Sequence, residues 1–178
     1  MESAQAELRR ALPADCVRWT KREQFHLTLK FLGKVPVDVL PALHSSVQKA
    51  CDGIPVLRLR AERIGVFPGM KSPRVIWAGV ENSEGLLLKL QQLVEIAVEG
   101  FTAEKAEAGF KGHVTLGRVK HLQRPQAEGL AKLAGAMVDR CFGEWGADTI
   151  EIIRSTLSAG GACYTTLAAV PLGCAGGR

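Results

Sequence analysis

The segment His26-Leu27-Thr28-Leu29 recurs later in the chain as His113-Val114-Thr115-Leu116. From residue 26 to residue 113 is 87 residues, close to half of the 178-residue sequence. Self-similarity at a long period is typical of duplicated structural units. The repeat therefore predicts two pseudo-symmetric halves that form two lobes, each with one His-x-Thr strand.

The spacing within each copy has a direct structural meaning. Residues i and i+2 of a strand point to the same face, roughly 6.5–7 Å apart. His26 and Thr28 therefore share one face, as do His113 and Thr115, while the residues between them point into the core. If the two lobes face each other, the two His/Thr pairs line opposite walls of one groove.

The rest of the chain interleaves helical and strand-like patterns. Helices are expected over residues 4–12, 37–50, 83–98 (capped by Ser83) and 125–139. Strands are expected over residues 25–32, 56–65, 74–80 and 113–119, and a closing hairpin has arms 149–157 and 162–170 around a turn at 158–161. A closing hairpin requires antiparallel pairing, so the predicted fold class is α+β.

The composition excludes several classes of protein. With 47% hydrophobic and 23% charged residues, the chain is not an intrinsically disordered protein. It has no apolar run near the roughly 20 residues of a membrane span and no signal-peptide pattern at its start, so we expect a cytoplasmic protein. The net charge of +5 favours a polyanionic partner. The five cysteines show no CxxC spacing, so we expect neither a zinc site nor a disulfide framework.

Two opposed imidazoles, each with a hydroxyl beside it, suit phosphodiester chemistry. A neutral imidazole can take a proton from attacking water, and an imidazolium can protonate the leaving oxygen. The hydroxyls of Thr28 and Thr115 can hold the non-bridging phosphoryl oxygens. This arrangement needs no metal and no cofactor. The symmetry leaves open which histidine is the acid and which is the base.

These residues resemble a known family. His26–Gly33 and His113–Arg118 are similar to the paired HxTx motifs of the two-histidine (2H) phosphoesterases, and within them to the RNA 2′,3′-cyclic phosphodiesterases, historically called 2′-5′ RNA ligases. The resemblance continues in Pro73–Val80, in Phe110 and in the hairpin residues 152–164. It extends over nearly the whole chain in the same order.

The resemblance implies a single bilobal domain over residues 1–178, with two antiparallel sheets and flanking helices around a groove. It implies that His26 is the proton donor and His113 the proton acceptor. The implied reaction opens a 2′,3′-cyclic phosphate at an RNA end to a 2′-phosphomonoester, with 2′-5′ ligation as a further activity. The implied partner is therefore RNA or an oligonucleotide with such an end.

Two alternatives stay open, and some residues depart from the family pattern. The fold can instead serve as a non-catalytic nucleotide- or RNA-binding module, or act on small cyclic phosphates or 2′-5′ oligoadenylates. Family members usually have a proline where this chain has Gly112, which loosens the approach to His113. Arg118 is a candidate phosphate ligand. In a regular strand, however, its side chain would point to the face opposite His113, unless the strand bends or bulges. Phe31 has the parity of the core residues, and Lys30 is a candidate for the groove wall.

The start of the chain differs from the family as well. Members usually have an apolar strand before the first helix, and here the helical pattern begins almost at Met1. We therefore expect an N-terminal sheet with an open edge, in a protein that is otherwise monomeric but self-associates along that edge.

Overall fold

The computed structural model describes residues 1–105, 109–158 and 161–173. In these residues helices are interleaved with strands along the chain, and the expected α+β class is confirmed. The elements are α1 (Glu2–Ala11), β1 (Val17–Trp19), α2 (Leu40–Cys51), β2 (Leu57–Phe67), β3 (Val75–Glu81), α3 (Leu86–Val98), β4 (His113–Val119), α4 (Arg124–Ala136), β5 (Cys141–Ala147), β6 (Thr149–Ser158) and β7 (Gly161–Pro171). Short 3-10 turns lie at Arg22–Gln24, Val37–Val39 and Glu99–Phe101.

The chain divides into two compact units. The first contains Met1–Thr28, Leu59–Glu81 and Lys111–Trp145, and the second contains the remaining described residues. Both units draw on separate parts of the sequence, because the chain passes between them several times.

The first unit is built on a sheet with strand order β1-β4-β3-β2-β5. Strand β4 pairs antiparallel with β1 on one side and with β3 on the other, and β3 pairs antiparallel with β2. Helices α1 and α4 pack together over this sheet. The apolar positions of the helices and of alternate strand residues form one core, which includes the buried side chains Ala4, Leu8, Ile76, Ala78, Leu116 and Leu130.

The second unit contains the antiparallel hairpin of β6 and β7 with helices α2 and α3. Helix α2 packs against both α3 and β7. The buried apolar residues of the second unit include Leu43, Leu90, Val98 and Val170. None of the helices in the described residues has the length and apolar character that crossing a bilayer requires.

The second repeat segment forms the expected strand, with β4 over His113–Val119. The expected strand over residues 25–32 is wrong, because only Leu27 makes a bridge, an antiparallel one to Val114. Two features limit the pairing. The 3-10 turn Arg22–Gln24 comes just before this segment, and after Thr28 the chain continues into the second unit.

Other boundaries also differ from expectation. Ser83 does not cap α3; the helix begins at Leu86, whose N–H donates to Asn82 Oδ1 at 2.8 Å. Strands β1 and β5 were not expected. The hairpin arms are confirmed, but Ala159 and Gly160 of the expected turn lie outside the described residues, as do residues 174–178.

Candidate active site

The two His-x-Thr segments are neighbours at one edge of β4. Antiparallel pairing of Leu27 with Val114 places His26 opposite Thr115 and Thr28 opposite His113. Opposed Cβ atoms in such a pair lie about 4.5–5.5 Å apart, and diagonal ones, such as those of the two histidines, about 7–8 Å. Each histidine therefore has the threonine of the other segment as its neighbour across the pairing.

This neighbourhood differs from the expectation of one segment per lobe. Both segments belong to the first unit, since residues 1–28 and 111–145 are both part of it. The reason is the bridge itself, because a residue paired with β4 belongs to the sheet that contains β4. The predicted pseudo-symmetry of the two halves stays a prediction.

The two faces of β4 differ in how deeply their side chains are buried. Val114 is 2% exposed and Leu116 is fully buried, whereas His113 and Thr115 are half-buried. His26 is also half-buried, and Thr28 is exposed. The four polar side chains thus lie away from the core, within reach of a ligand.

A β-bulge determines which face of β4 carries the side chain of Arg118. The pairing of β3 with β4 shifts by one residue between Ile76 and Trp77, so that Leu116 has no partner on β3. As a result Arg118 lies opposite Val75, while Thr115 lies opposite Trp77. Residues that alternate along β3 share a face. Arg118 therefore shares the face of Thr115 and His113, and its side chain is exposed.

Both imidazole rings are oriented by the backbone in the same way. His26 Nδ1 lies 2.7 Å from the carbonyl oxygen of Gln24, and His113 Nδ1 lies 2.7 Å from that of Lys111. A carbonyl oxygen only accepts, so Nδ1 carries the hydrogen in both rings. In the neutral ring Nε2 then holds the lone pair, and in the imidazolium Nε2 is a donor. Each Nε2 can therefore accept or deliver a proton.

Aromatic side chains pack against one of the two histidines. The Phe67 ring meets the His113 ring edge-on with centroids 5.1 Å apart, and the Trp77 ring centroid is 6.1 Å away. Trp77 lies over Gly65, where a Cβ would collide with the indole ring. Gly65 therefore allows the indole to lie flat on the sheet below His113.

A second arginine lies beside Arg118. In the pairing of β1 with β4, Arg18 is opposite Arg118, and both side chains are exposed. Like charges directly opposite each other on a sheet are destabilising. Within the described part of the chain neither guanidinium has a carboxylate partner. Sequence reasoning missed Arg18 because it missed β1, a strand of only three residues.

Two other candidates have different surroundings from those expected. The side chain of Lys30 is 4% exposed and its ammonium binds Glu95 at 2.5 Å, so Lys30 is an ion-pair residue within the second unit. Phe31 is 62% exposed, and the expectation that it packs in the core is wrong. Its segment is not a continuous strand, so the alternation from which its burial was predicted does not apply.

Comparisons with known proteins all point to the same family of phosphoesterases. The family model described as LigT like phosphoesterase matches residues 1–77. A protein of Aeropyrum pernix named RNA 2′,3′-cyclic phosphodiesterase is 35% identical over 82% of this chain and 80% of its own. A protein of Aquifex aeolicus with the same name is 30% identical over 88% of this chain and 82% of its own.

Solved structures show the same fold. The crystal structure of TT0787 of Thermus thermophilus has a TM-score of 0.74 and 27% identity, covering 97% of this chain and 93% of that one. Escherichia coli LigT in complex with 3′-AMP has a TM-score of 0.70 and 20% identity, covering 97% of this chain and 92% of that one.

The chain belongs to the LigT-like phosphoesterases, which are two-histidine enzymes. The family expected from the paired motifs is thereby confirmed.

Proposed function

We propose that this protein hydrolyses 2′,3′-cyclic phosphodiester ends of RNA to 2′-phosphomonoesters with His26 and His113 as its acid and base. The observation that carries the proposal is the Leu27–Val114 bridge, which pairs the two His-x-Thr segments side by side. The relatives named RNA 2′,3′-cyclic phosphodiesterase support the choice of reaction.

In the proposed reaction His113, with Nε2 unprotonated, takes a proton from water as the water oxygen bonds to phosphorus. His26, protonated at Nε2, gives its proton to the 3′ oxygen as the bond from phosphorus to that oxygen breaks. The product keeps the phosphate on the 2′ oxygen, and the two histidines end with their protonation states exchanged. The geometry is nearly symmetric, so the choice of His26 as donor rests on the family resemblance.

Three further side chains stabilise the charge on the phosphoryl group in this proposal. Thr28 and Thr115 donate hydrogen bonds to the non-bridging oxygens, whose charge increases as the five-coordinate centre forms. Arg118 lies on the same face and contributes a fixed positive charge. Arg18, directly opposite it, extends this charge along the edge of the sheet. A polyanionic chain is the ligand favoured by two adjacent arginines that have no carboxylate partner among the described residues.

The test uses a short RNA ending in a 2′,3′-cyclic phosphate, with the product identified as a 2′- or 3′-monophosphate. We expect the wild-type protein and His44→Ala, a histidine on α2, to form the 2′-phosphate, and His26→Ala and His113→Ala to be nearly inactive. Binding without turnover by the wild type would favour the alternative of a binding module. Turnover only of cyclic mononucleotides or 2′-5′ oligoadenylates would favour the alternative substrates.

The proposed mechanism uses no metal ion. We expect the rate to be unchanged after exhaustive dialysis against EDTA, because two imidazoles supply both proton transfers. A loss of activity that a divalent ion restores would overturn the two-histidine mechanism.

For location and assembly we propose a cytoplasmic monomer that self-associates along an open sheet edge. Strand β5 is last in the strand order, and none of its residues Cys141–Ala147 is buried. An exposed edge strand is a template for pairing with a second chain. Light scattering over a range of protein concentrations tests this, and a strictly monomeric protein would exclude the self-association.

A further inference from the structure

We propose that Asp15, Cys16 and His121 form a binding site for Zn²⁺, separate from the two catalytic histidines. A carboxylate oxygen of Asp15, Cys16 Sγ and an imidazole nitrogen of His121 all lie within 4.8 Å of one another. In the described residues this is the one group of three or more such side chains with that spacing. Sequence spacing did not reveal it, because the third residue is more than 100 positions from the other two.

Two local structures bring the three side chains together. The turn Pro13–Cys16, closed by a hydrogen bond from Cys16 N–H to the Pro13 carbonyl at 3.2 Å, places Asp15 and Cys16 just before β1. The chain after β4 returns to the same point, since Lys120 N–H donates to the Cys16 carbonyl at 2.8 Å. His121 therefore lies next to the turn. Backbone hydrogen bonds therefore bring the three residues together, in addition to the contacts of their side chains.

The distances suit a tetrahedral ion. Cys16 Sγ lies 3.8 Å from Asp15 Oδ1, and His121 Nε2 lies 3.5 Å from Asp15 Oδ2. Metal–ligand bonds of 2.0–2.3 Å in a tetrahedral zinc site give ligand–ligand separations of about 3.3–3.8 Å. Zn²⁺ can thus replace the present contacts with small movements of the side chains.

The type of ligand selects the metal. Thiolate and imidazole favour zinc over Mg²⁺ or Ca²⁺, which prefer sets of oxygen ligands. The side chains of Asp15 and His121 are 76% and 60% exposed, whereas Cys16 is 2% exposed. The site is therefore open on one side, and water can occupy the fourth position. Gln126 Oε1 lies 3.8 Å from Cys16 Sγ and accepts a hydrogen bond from Gln123 N–H at 2.8 Å.

The site is remote from the two histidines of the proposed reaction, although Arg18 and Arg118 lie two and three positions from Cys16 and His121. His113 begins β4 and Val119 ends it, so about 20 Å of strand, at 3.3 Å per residue, separates His113 from the end of β4 that leads to His121. An ion there ties the turn before β1 to the chain after β4. Its expected effect is stability of this sheet edge and not turnover, in agreement with the metal-free mechanism.

Binding follows a balanced equation. The thiol of Cys16 gives up its proton to the buffer, the thiolate bonds to the ion, and Asp15 and His121 replace two of the waters of the hydrated ion. No group is oxidised or reduced. Affinity therefore increases with pH, because a proton is released.

The experiment titrates the reduced full-length protein with Co²⁺ as a spectroscopic probe, and then with Zn²⁺ in competition with a chromogenic chelator. We expect one ion per chain, a near-ultraviolet thiolate-to-cobalt band, and a higher melting temperature with Zn²⁺. Loss of a ligand should weaken binding about tenfold or more, both in His121→Ala and in Asp15→Asn. Cys51→Ser, which removes a buried thiol of the second unit, is the matched control and should bind as the wild type does.

Cys16→Ser should abolish the thiolate band, but Cys16 is part of the core and this variant can fail to fold. His121→Ala changes only an exposed side chain and keeps the proposal testable in that case. A wild-type protein without the thiolate band would overturn the site. So would a band of equal strength and affinity in His121→Ala, because the metal would then bind another thiol, such as the exposed Cys141 or Cys163.

Discussion

The two His-x-Thr segments have almost the same sequence, yet the sheet holds them very differently. The second lies in a strand that pairs with β3 along one side, and aromatic rings pack against its histidine. The first pairs with the sheet only at Leu27, between a 3-10 turn and the passage into the second unit. Alternation around a single bridge is enough to place a histidine and a threonine. The proposed chemistry therefore needs a local backbone geometry and not two complete strands.

The largest expected effect removes the imidazoles. His26→Ala and His113→Ala should each lower kcat about 10²–10⁴-fold, the usual contribution of a positioned acid or base. The double variant should lose far less than the product, because the two groups act in one step. The wild-type rate should have a bell-shaped dependence on pH, since one ring must be protonated and the other neutral. Steady-state kinetics measure this, and near wild-type turnover without either histidine would refute their roles.

The next comparison concerns the leucines that follow the two threonines. Leu116 is fully buried on the core face of β4, so Leu116→Ala should reduce the free energy of unfolding by about 2–5 kcal/mol. Leu29 holds the same place in the first segment but is only half-buried, so Leu29→Ala should cost clearly less. Urea denaturation measures both variants. Equal losses would mean that the first segment is held as firmly as the second.

A smaller effect is expected at the hydroxyls. Thr28→Val and Thr115→Val keep the shape of the side chain and remove only the proposed donor to the phosphoryl oxygens. Each should lower kcat about 10–100-fold, because a hydrogen bond to a charged group contributes about 1.5–3 kcal/mol. Melting temperatures serve as the control for folding. If one variant keeps full activity, the symmetric use of the two segments fails.

The smallest effect lies outside both segments. Arg140 donates hydrogen bonds of 2.8 and 2.6 Å to the carboxylate of Glu7, which lowers the pKa of Glu7 below its ordinary value. A carboxyl whose pKa is lower in the folded state stabilises the protein above the unfolded-state pKa, and this stability is lost as the pH falls through the folded-state pKa. Arg140→Gln should therefore slightly lower the melting temperature at neutral pH and flatten its fall in acid. Thermal unfolding across acidic pH measures this, and catalysis should not change.

The sequence predicted the parts of the fold that depend on long, periodic patterns. Strand β4 has the predicted bounds, the four helices of the described residues lie within a few positions of theirs, and the family is confirmed. Strands β1 and β5 were missed because the first has three residues and the second contains Gly143 and Gly146, which weaken a strand pattern. The prediction of a strand over residues 25–32 was wrong. Alternation of apolar and polar residues shows which face each residue would take in a strand, but not how many of the residues pair with a neighbouring strand.

The candidate site shows the same limit of prediction from sequence patterns. His26, Thr28, His113 and Thr115 were identified from the repeat, and their roles stay a prediction. The face of Arg118 could not be deduced, since it depends on a bulge that no single residue type requires. Arg18 could not be found without β1. Phe67 was expected in a loop and Trp77 in a strand, and only the pairing of β2 with β3 and of β3 with β4 brings them to His113.

The contact of each imidazole Nδ1 with the carbonyl two residues before it has a consequence for mutations at the site. In a serine protease the histidine is oriented by a separate aspartate, which mutation can remove. Here the orienting group is the main-chain carbonyl two residues before each histidine, so no side-chain substitution deletes it. The same contact precedes the segment in β4 and the segment that is held by a single bridge. In the proposed mechanism the orientation of each ring therefore does not depend on how much of its segment lies in a strand.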